Sequence, residues 1–258
     1  IIAYWTAYLK AHFPGEFMAA TMTSEMGSTE RLAALVAEAG RMGLTVLPPS
    51  VNDSLVTFDV DREGRIVYAL KAVKNVGESP ALEIVAARNR GGAFTGIQDL
   101  ACRVESGLNK KVLESLIIAG ALDSLPGKRS AMLASVDRVL AYATAFRKHR
   151  EAGQMTLFGA ESMAEPEAPP LQEMEEIPRE EMLRGEKELL GFYLTGHPLD
   201  EYREEVRAYA THSPGAVAGY KGARPVSVAA LVDQLRFRDG KRGRIAFLTL
   251  SGVSDSCE

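Results

Sequence analysis

Two short stretches carry residues whose types and spacing could do chemistry, and that chemistry is the gripping of an anion. They are Lys74-Asn75-Val76-Gly77-Glu78-Ser79 and Ala119-Gly120-Ala121. Apolar residues at helical spacing surround each glycine: Leu70, Val73 and Val76 before Gly77, Leu82, Ile84 and Val85 after it, and Val112, Leu113, Leu116 and Ile117 before Gly120. Gly77 can adopt the left-handed backbone that closes a turn between two short helices, Ser79 can cap the second, and Pro80 suits its first position. A helix starting there turns its free N–H groups and the positive end of its dipole toward a phosphate oxygen, and Lys74 adds a charge beside it. In the second stretch Asn109 is the expected cap, Gly120 takes the part of Gly77, and Lys128 and Arg129 follow closely. Either copy alone reads equally well as an ordinary helix pair bent at a glycine. Two in tandem, each with basic residues nearby, point to a nucleic-acid backbone, with residues 74–79, 119–121, Lys128 and Arg129 as the candidate contacts.

The elements that must position these turns are mainly helical. Tyr4, Trp5, Tyr8 and Leu9 share one face of a helix ended by Phe13-Pro14-Gly15, and such a stripe is expected in a core. A second helix spans about 16–26, and a third follows Ser28 with Leu32, Leu35, Val36 and Ala39 inward. Val56, Phe58 and Val60 alternate, Asp61-Arg62-Glu63-Gly64 turns, and Ile66-Val67-Tyr68 returns, which predicts a small β-hairpin ahead of the first helical pair. Arg88 to Gly92 reads as a basic loop whose Arg88 and Arg90 could meet phosphate, and Ile97, Leu100 and Ala101 predict a short helix. After Lys128-Arg129, a long amphipathic helix turns Met132, Leu133, Val136, Leu140, Ala143 and Phe146 inward. His197 invites a catalytic role, but no nucleophile or metal partner stands near it in sequence, and a His-Pro turn is read as structural.

Charge is segregated along the chain. Basic residues number 15 against 11 acidic over residues 51–150, 4 against 15 over 151–206, and 8 against 4 over 207–258, so the overall charge of -4 does not oppose DNA binding. The modest local excess predicts weak, salt-sensitive binding. No apolar run is long enough for a membrane span, Cys102 and Cys257 make no disulfide framework or zinc site, and a reducing cytoplasm is the expected compartment. The sequence opens at Ile1 without methionine and reads as a piece of something longer.

Gln154-Met155-Thr156-Leu157-Phe158 stands just before a Pro/Glu/Met-rich acidic tract running from Glu161 to Glu181, read as a disordered linker. Leu157 and Phe158 are apolar anchors suited to a preformed pocket, with Gln154 able to hydrogen-bond at its rim. Further on, residues 226–232, 234–238 and 245–250 read as strands, with a basic tip at 238–244.

Lys71-Ala-Val-Lys-Asn-Val-Gly77 and Leu113-Glu-Ser-Leu-Ile-Ile-Ala-Gly-Ala-Leu-Asp-Ser-Leu125 resemble the tandem helix-hairpin-helix domain of bacterial DNA polymerase III alpha subunits. Tyr4 to Pro14 resembles the sequence just after that family's fingers motif, residues 154–158 its sliding-clamp pentapeptide, and Leu190 to Tyr202 its approach to an OB domain. The resemblance implies four parts: 1–50 from the end of the fingers, 51–150 the tandem hairpins, 151–185 the clamp peptide and acidic linker, and 186–258 a lead-in helix and an incomplete OB domain. The expected fold is therefore mainly α, with a small β-hairpin and a C-terminal β segment. The resemblance further implies a parent that extends primers using palm aspartates and two magnesium ions, none of whose aspartates this sequence reproduces. The piece itself is expected to be inactive, to need no cofactor, and to bind primed duplex, the sliding clamp, other replisome subunits and, at the OB segment, single-stranded template. A monovalent ion in either hairpin is left open. A non-catalytic DNA-repair scaffold with a clamp peptide and the error-prone relative of the alpha subunit are the alternative readings.

Overall fold

In the computed structural model, residues 1–155, 167–240, 243–252 and 256–257 are described. The chain packs as two units, Ile1–Leu194 and Thr195–Glu258.

The first unit begins with three helices: α1 (Ile2–His12), α2 (Pro14–Ser24) and α3 (Thr29–Arg41). Ser28 caps α3 as its position predicts, accepting from the Arg31 N–H. Met18, Ala19 and Met22 of α2 and Leu32 and Ala39 of α3 are buried. The aromatic stripe of α1 is a correction: Tyr4, Trp5, Tyr8 and Leu9 are 70%, 65%, 47% and 46% exposed, because no element among the described residues lies over that face.

Three short strands follow, β1 (Val46–Leu47), β2 (Asp59–Val60) and β3 (Ile66–Val67), in the order β1-β3-β2. The β2/β3 hairpin is the expected one, turned at Gly64. β1 is an addition, since it pairs in parallel with β3 from a stretch too short to show a strand period.

The remaining helices are α4 (Glu78–Gly91), α5 (Ile97–Arg103), α6 (Lys110–Ile118), α7 (Arg129–Met155) and α8 (Arg179–Leu190). Their apolar faces meet in one core. α5 and α6 both pack on α7, so that Leu100, Leu113, Leu116 and Ile117 meet Met132, Val136, Val139 and Ala143, while Ile84 of α4 and Tyr68, Leu70, Val73 and Val76 close the other side. Each fully buried aliphatic side chain of this kind contributes about 1.5–3 kcal/mol relative to exposure, which makes this core the scaffold on which the turns are held.

Two loop expectations are corrected here. Residues 88–91 are the last turn of α4, and the Arg88 guanidinium folds back to donate to the carbonyls of Val51 (3.1 Å) and Ser54 (2.9 Å), away from any external phosphate. The acidic tract is not free over its described part. Gln98 Nε2 donates to the Pro169 carbonyl at 2.8 Å, Leu171 packs against the core, and α8 already begins at Arg179.

The second unit holds α9 (Arg203–Tyr209), α10 (Pro214–Ala218) and a long antiparallel ribbon of β4 (Leu231–Gly240) and β5 (Gly243–Ser251), edged by β6 (Ser256–Cys257). Residues 226–230, expected as strand, lie outside any strand, and 231–240 form one strand with a bulge between Val232 and Gln234. His197 caps the 3-10 turn Pro198–Tyr202: its Nδ1 accepts from the Leu199 N–H, and Asp200 accepts from the His197 N–H at 2.7 Å. The structural role expected for it is what the geometry gives.

Candidate nucleic-acid interface

The first hairpin is open. Its leading element is a single 3-10 turn, Leu70–Ala72, and α4 starts at Glu78 with Gly77 as its N-cap and no side-chain hydrogen bond at that cap. Lys74, Asn75, Gly77, Glu78 and Ser79 are exposed, while Val76 anchors the turn in the core. Lys74 has no carboxylate partner among the described residues, and its own N–H fixes the turn by donating to the Leu189 carbonyl at 3.0 Å. Lys71, by contrast, pairs with Glu78 at 2.7 Å, and that contact holds the Glu78 carboxyl below its usual range. The exposed first turn of a helix beside a free lysine is a physical arrangement that attracts phosphate.

The turn closes differently from expectation. Gly77 is extended (φ -66°, ψ -176°), and the left-handed residue is Asn75 at φ 71°. Asparagine is among the few side-chain-bearing residues that tolerate this region, and its amide is held by donating to Ser115 Oγ at 3.0 Å. Ser79 therefore lies inside α4 and does not cap it.

The second hairpin is closed. Asn109 caps α6 as expected, accepting from the Val112 N–H at 3.0 Å, and Gly120 takes φ 80°. Yet Ala119, Gly120 and Ala121 are buried, with the Ala121 carbonyl accepting from the Val51 N–H at 2.8 Å. Arg129 is a further correction. Its guanidinium, 11% exposed, binds Asp123 and donates to the Ile118 carbonyl at 3.0 Å. Burial opposes its charge, but Asp123 outweighs that and keeps it firmly protonated. A cation already lies over the end of α6, and its ion pair turns it from an outward contact into an internal brace. Lys128 remains exposed, with Nζ 3.1 Å from the Met174 carbonyl.

Of the segment expected to bind the clamp, Gln154 and Met155 end α7, and Thr156, Leu157 and Phe158 lie outside the described residues. Among the described residues no group of three or more His, Cys, Asp or Glu side chains could hold a metal, and no helix is long and apolar enough to cross a membrane.

Residues 43–132, which contain both hairpins, match the family described as helix-hairpin-helix motif. Over its whole length the chain aligns with curated relatives. It matches a segment of the DNA polymerase III alpha subunit. The alpha subunit of Vibrio cholerae is 42% identical over 100% of this chain and 22% of its own length, that of Escherichia coli K12 40% identical over 100% and 23%, and that of Neisseria meningitidis serogroup B 40% identical over 100% and 22%. The chain thus spans less than a quarter of the alpha subunits it matches. Sequence reasoning found both hairpins but missed Asn75, Ser115 and Arg88 as the residues that fix them. Asn75 gives a signal of its own, since asparagine in a turn is a standing candidate for positive φ.

Proposed function

We propose that this chain provides the duplex-DNA grip and the clamp attachment of a replicative, DNA-directed DNA polymerase of the alpha-subunit kind, acting in the bacterial cytoplasm. The observation that carries the reading is the open α4 N-terminus beside Lys74, which has no carboxylate partner among the described residues, in a chain similar throughout to alpha subunits. Phosphate recognition of this sort is independent of base sequence, as a replicative enzyme requires. Gln154-Met155-Thr156-Leu157-Phe158 is the proposed anchor on the sliding clamp, and polymerisation belongs to palm aspartates that these residues do not supply. The β4/β5 ribbon carries Arg236 and Arg238, and stacks Arg244 over Phe237 at 4.1 Å, which suits transient contact with single-stranded template.

The test is fluorescence anisotropy on a labelled primed duplex at low and moderate salt. Lys74→Glu should weaken binding by about tenfold and flatten the salt dependence by roughly one phosphate. Unchanged affinity in a folded Lys74→Glu protein refutes the first hairpin as the grip.

A further inference from the structure

The two hairpins differ in what occupies the helix that leaves each turn. At α4 the first turn is exposed and no side chain caps it. At α7 a carboxylate from the acidic tract already sits there: Glu176 Oε2 accepts from the Arg129 N–H and Oε1 from the Ser130 N–H, both at 3.2 Å. A carboxylate straddling two adjacent amides at the start of a helix makes the same bonds that two phosphate oxygens would make.

The segment that carries it is laid along the second hairpin as a strap. Gln98 Nε2 holds the Pro169 carbonyl, Leu171 packs on the core and fills the space a Cβ on Gly127 would take, and Lys128 Nζ donates to the Met174 carbonyl. Burial alone would raise the Glu176 pKa, but the N–H groups of Ile177, Ser130 and Arg129 outweigh it and keep the carboxyl below its usual range. Glu173 and Glu175 stand exposed beside it, so the strap brings negative charge to exposed Lys128. Besides the Glu176 carboxylate, apolar and carbonyl contacts hold it, and Glu176 itself lies at the surface, where a competing anion can reach it.

We infer that the acidic strap around Glu176 is a phosphate mimic that closes the second hairpin in the unbound protein and is displaced by the DNA backbone, so that the hairpins engage duplex in two stages. This rests on the DNA-binding reading above. The first hairpin makes the initial contact; release of Glu176 then frees the Arg129 and Ser130 amides and Lys128 for a further phosphate.

Glu176→Gln and Glu176→Ala should bind the primed duplex about three- to tenfold more tightly than the unaltered chain at low salt, with a salt slope steeper by roughly one phosphate. The methyl resonances of Leu171, which packs on the core in the unaltered chain, should move toward solvent-exposed positions when duplex is added at saturation. Equal affinity and equal slope in both variants, or Leu171 methyls that keep their shifts on saturated duplex, overturn the inference while leaving the first hairpin untouched if Lys74→Glu still weakens binding. If neither protein binds duplex, the parent reading fails, and inorganic phosphate decides the strap by itself. Shifts of the Arg129 and Ser130 amide resonances in Glu176→Ala, absent in the unaltered chain, support the mimic, and no shift in either overturns it.

Discussion

The side-chain amide of Asn75 donates to the hydroxyl of Ser115 across 3.0 Å, tying the turn of the first hairpin to the helix that enters the second. The two turns are therefore not independent modules on a common core. Any change that moves α6 moves the residue on which the left-handed backbone of the first turn depends.

Replacing Asn75 by alanine should remove that bond and leave a residue at φ 71° that resists it, at a combined cost of about 2 kcal/mol. Asn75→Gly should cost less, because glycine accepts the backbone and loses only the bond. Urea unfolding of the two variants and of Ser115→Ala gives the comparison; equal losses for Asn75→Ala and Asn75→Gly would show that the backbone carries no strain.

Gly120→Ala meets two obstacles. The site has φ 80°, and the new Cβ would run into the Arg129 guanidinium. The expected loss is about 2 kcal/mol or more, with Arg129 pushed off Asp123. Thermal melting checks it, and the same substitution at Gly77, where the backbone is extended and no atom lies within 4 Å of the added Cβ, serves as the mild control.

How much of this was legible in the sequence depended on whether the deciding partner was local. The Ser28 and Asn109 caps and the inward stripe of α7 depend on neighbours within a turn or two, and each stands where the spacing puts it. By residue type both Asn75 and Gly77 tolerate a positive φ; it falls on Asn75, whose amide donates to Ser115 far along the chain. Arg88 has the same character, its partners being carbonyls of Val51 and Ser54. The strap is the largest miss. Proline and glutamate composition reads as linker, whereas its docking needs the bare start of α7 and the surface beside Met132.

Glu176 also makes the strap sensitive to acid. Its folded pKa lies below the ordinary 4.5, so its contribution is fully present above that value and disappears as pH falls through the lowered one. Amide exchange at Arg129 and Ser130, corrected for intrinsic rates, should accelerate below about pH 4.5 while the α6 amides stay protected. Simultaneous loss in both places would mean global unfolding and no separate release.

For the proposed clamp peptide, Leu157→Ala with Phe158→Ala should abolish binding to purified sliding clamp and leave duplex affinity within about twofold, since a few buried anchors carry most of the energy of such an interface. Surface plasmon resonance on immobilised clamp measures it. Undiminished clamp binding by the double variant would send the search for the anchor elsewhere in the chain.

The parallel pairing of β1 with β3 bears on how this protein can be shortened. β3 is the central strand of its small sheet, flanked by β1 on one side and β2 on the other. A chain begun at residue 51 would keep both hairpins yet strip one flank of β3, baring the backbone N–H groups of Ile66 and Tyr68 that now donate to Thr45 and Leu47. Unpaired strand edges recruit other strands, so a trimmed hairpin module of that kind invites self-association through its own sheet.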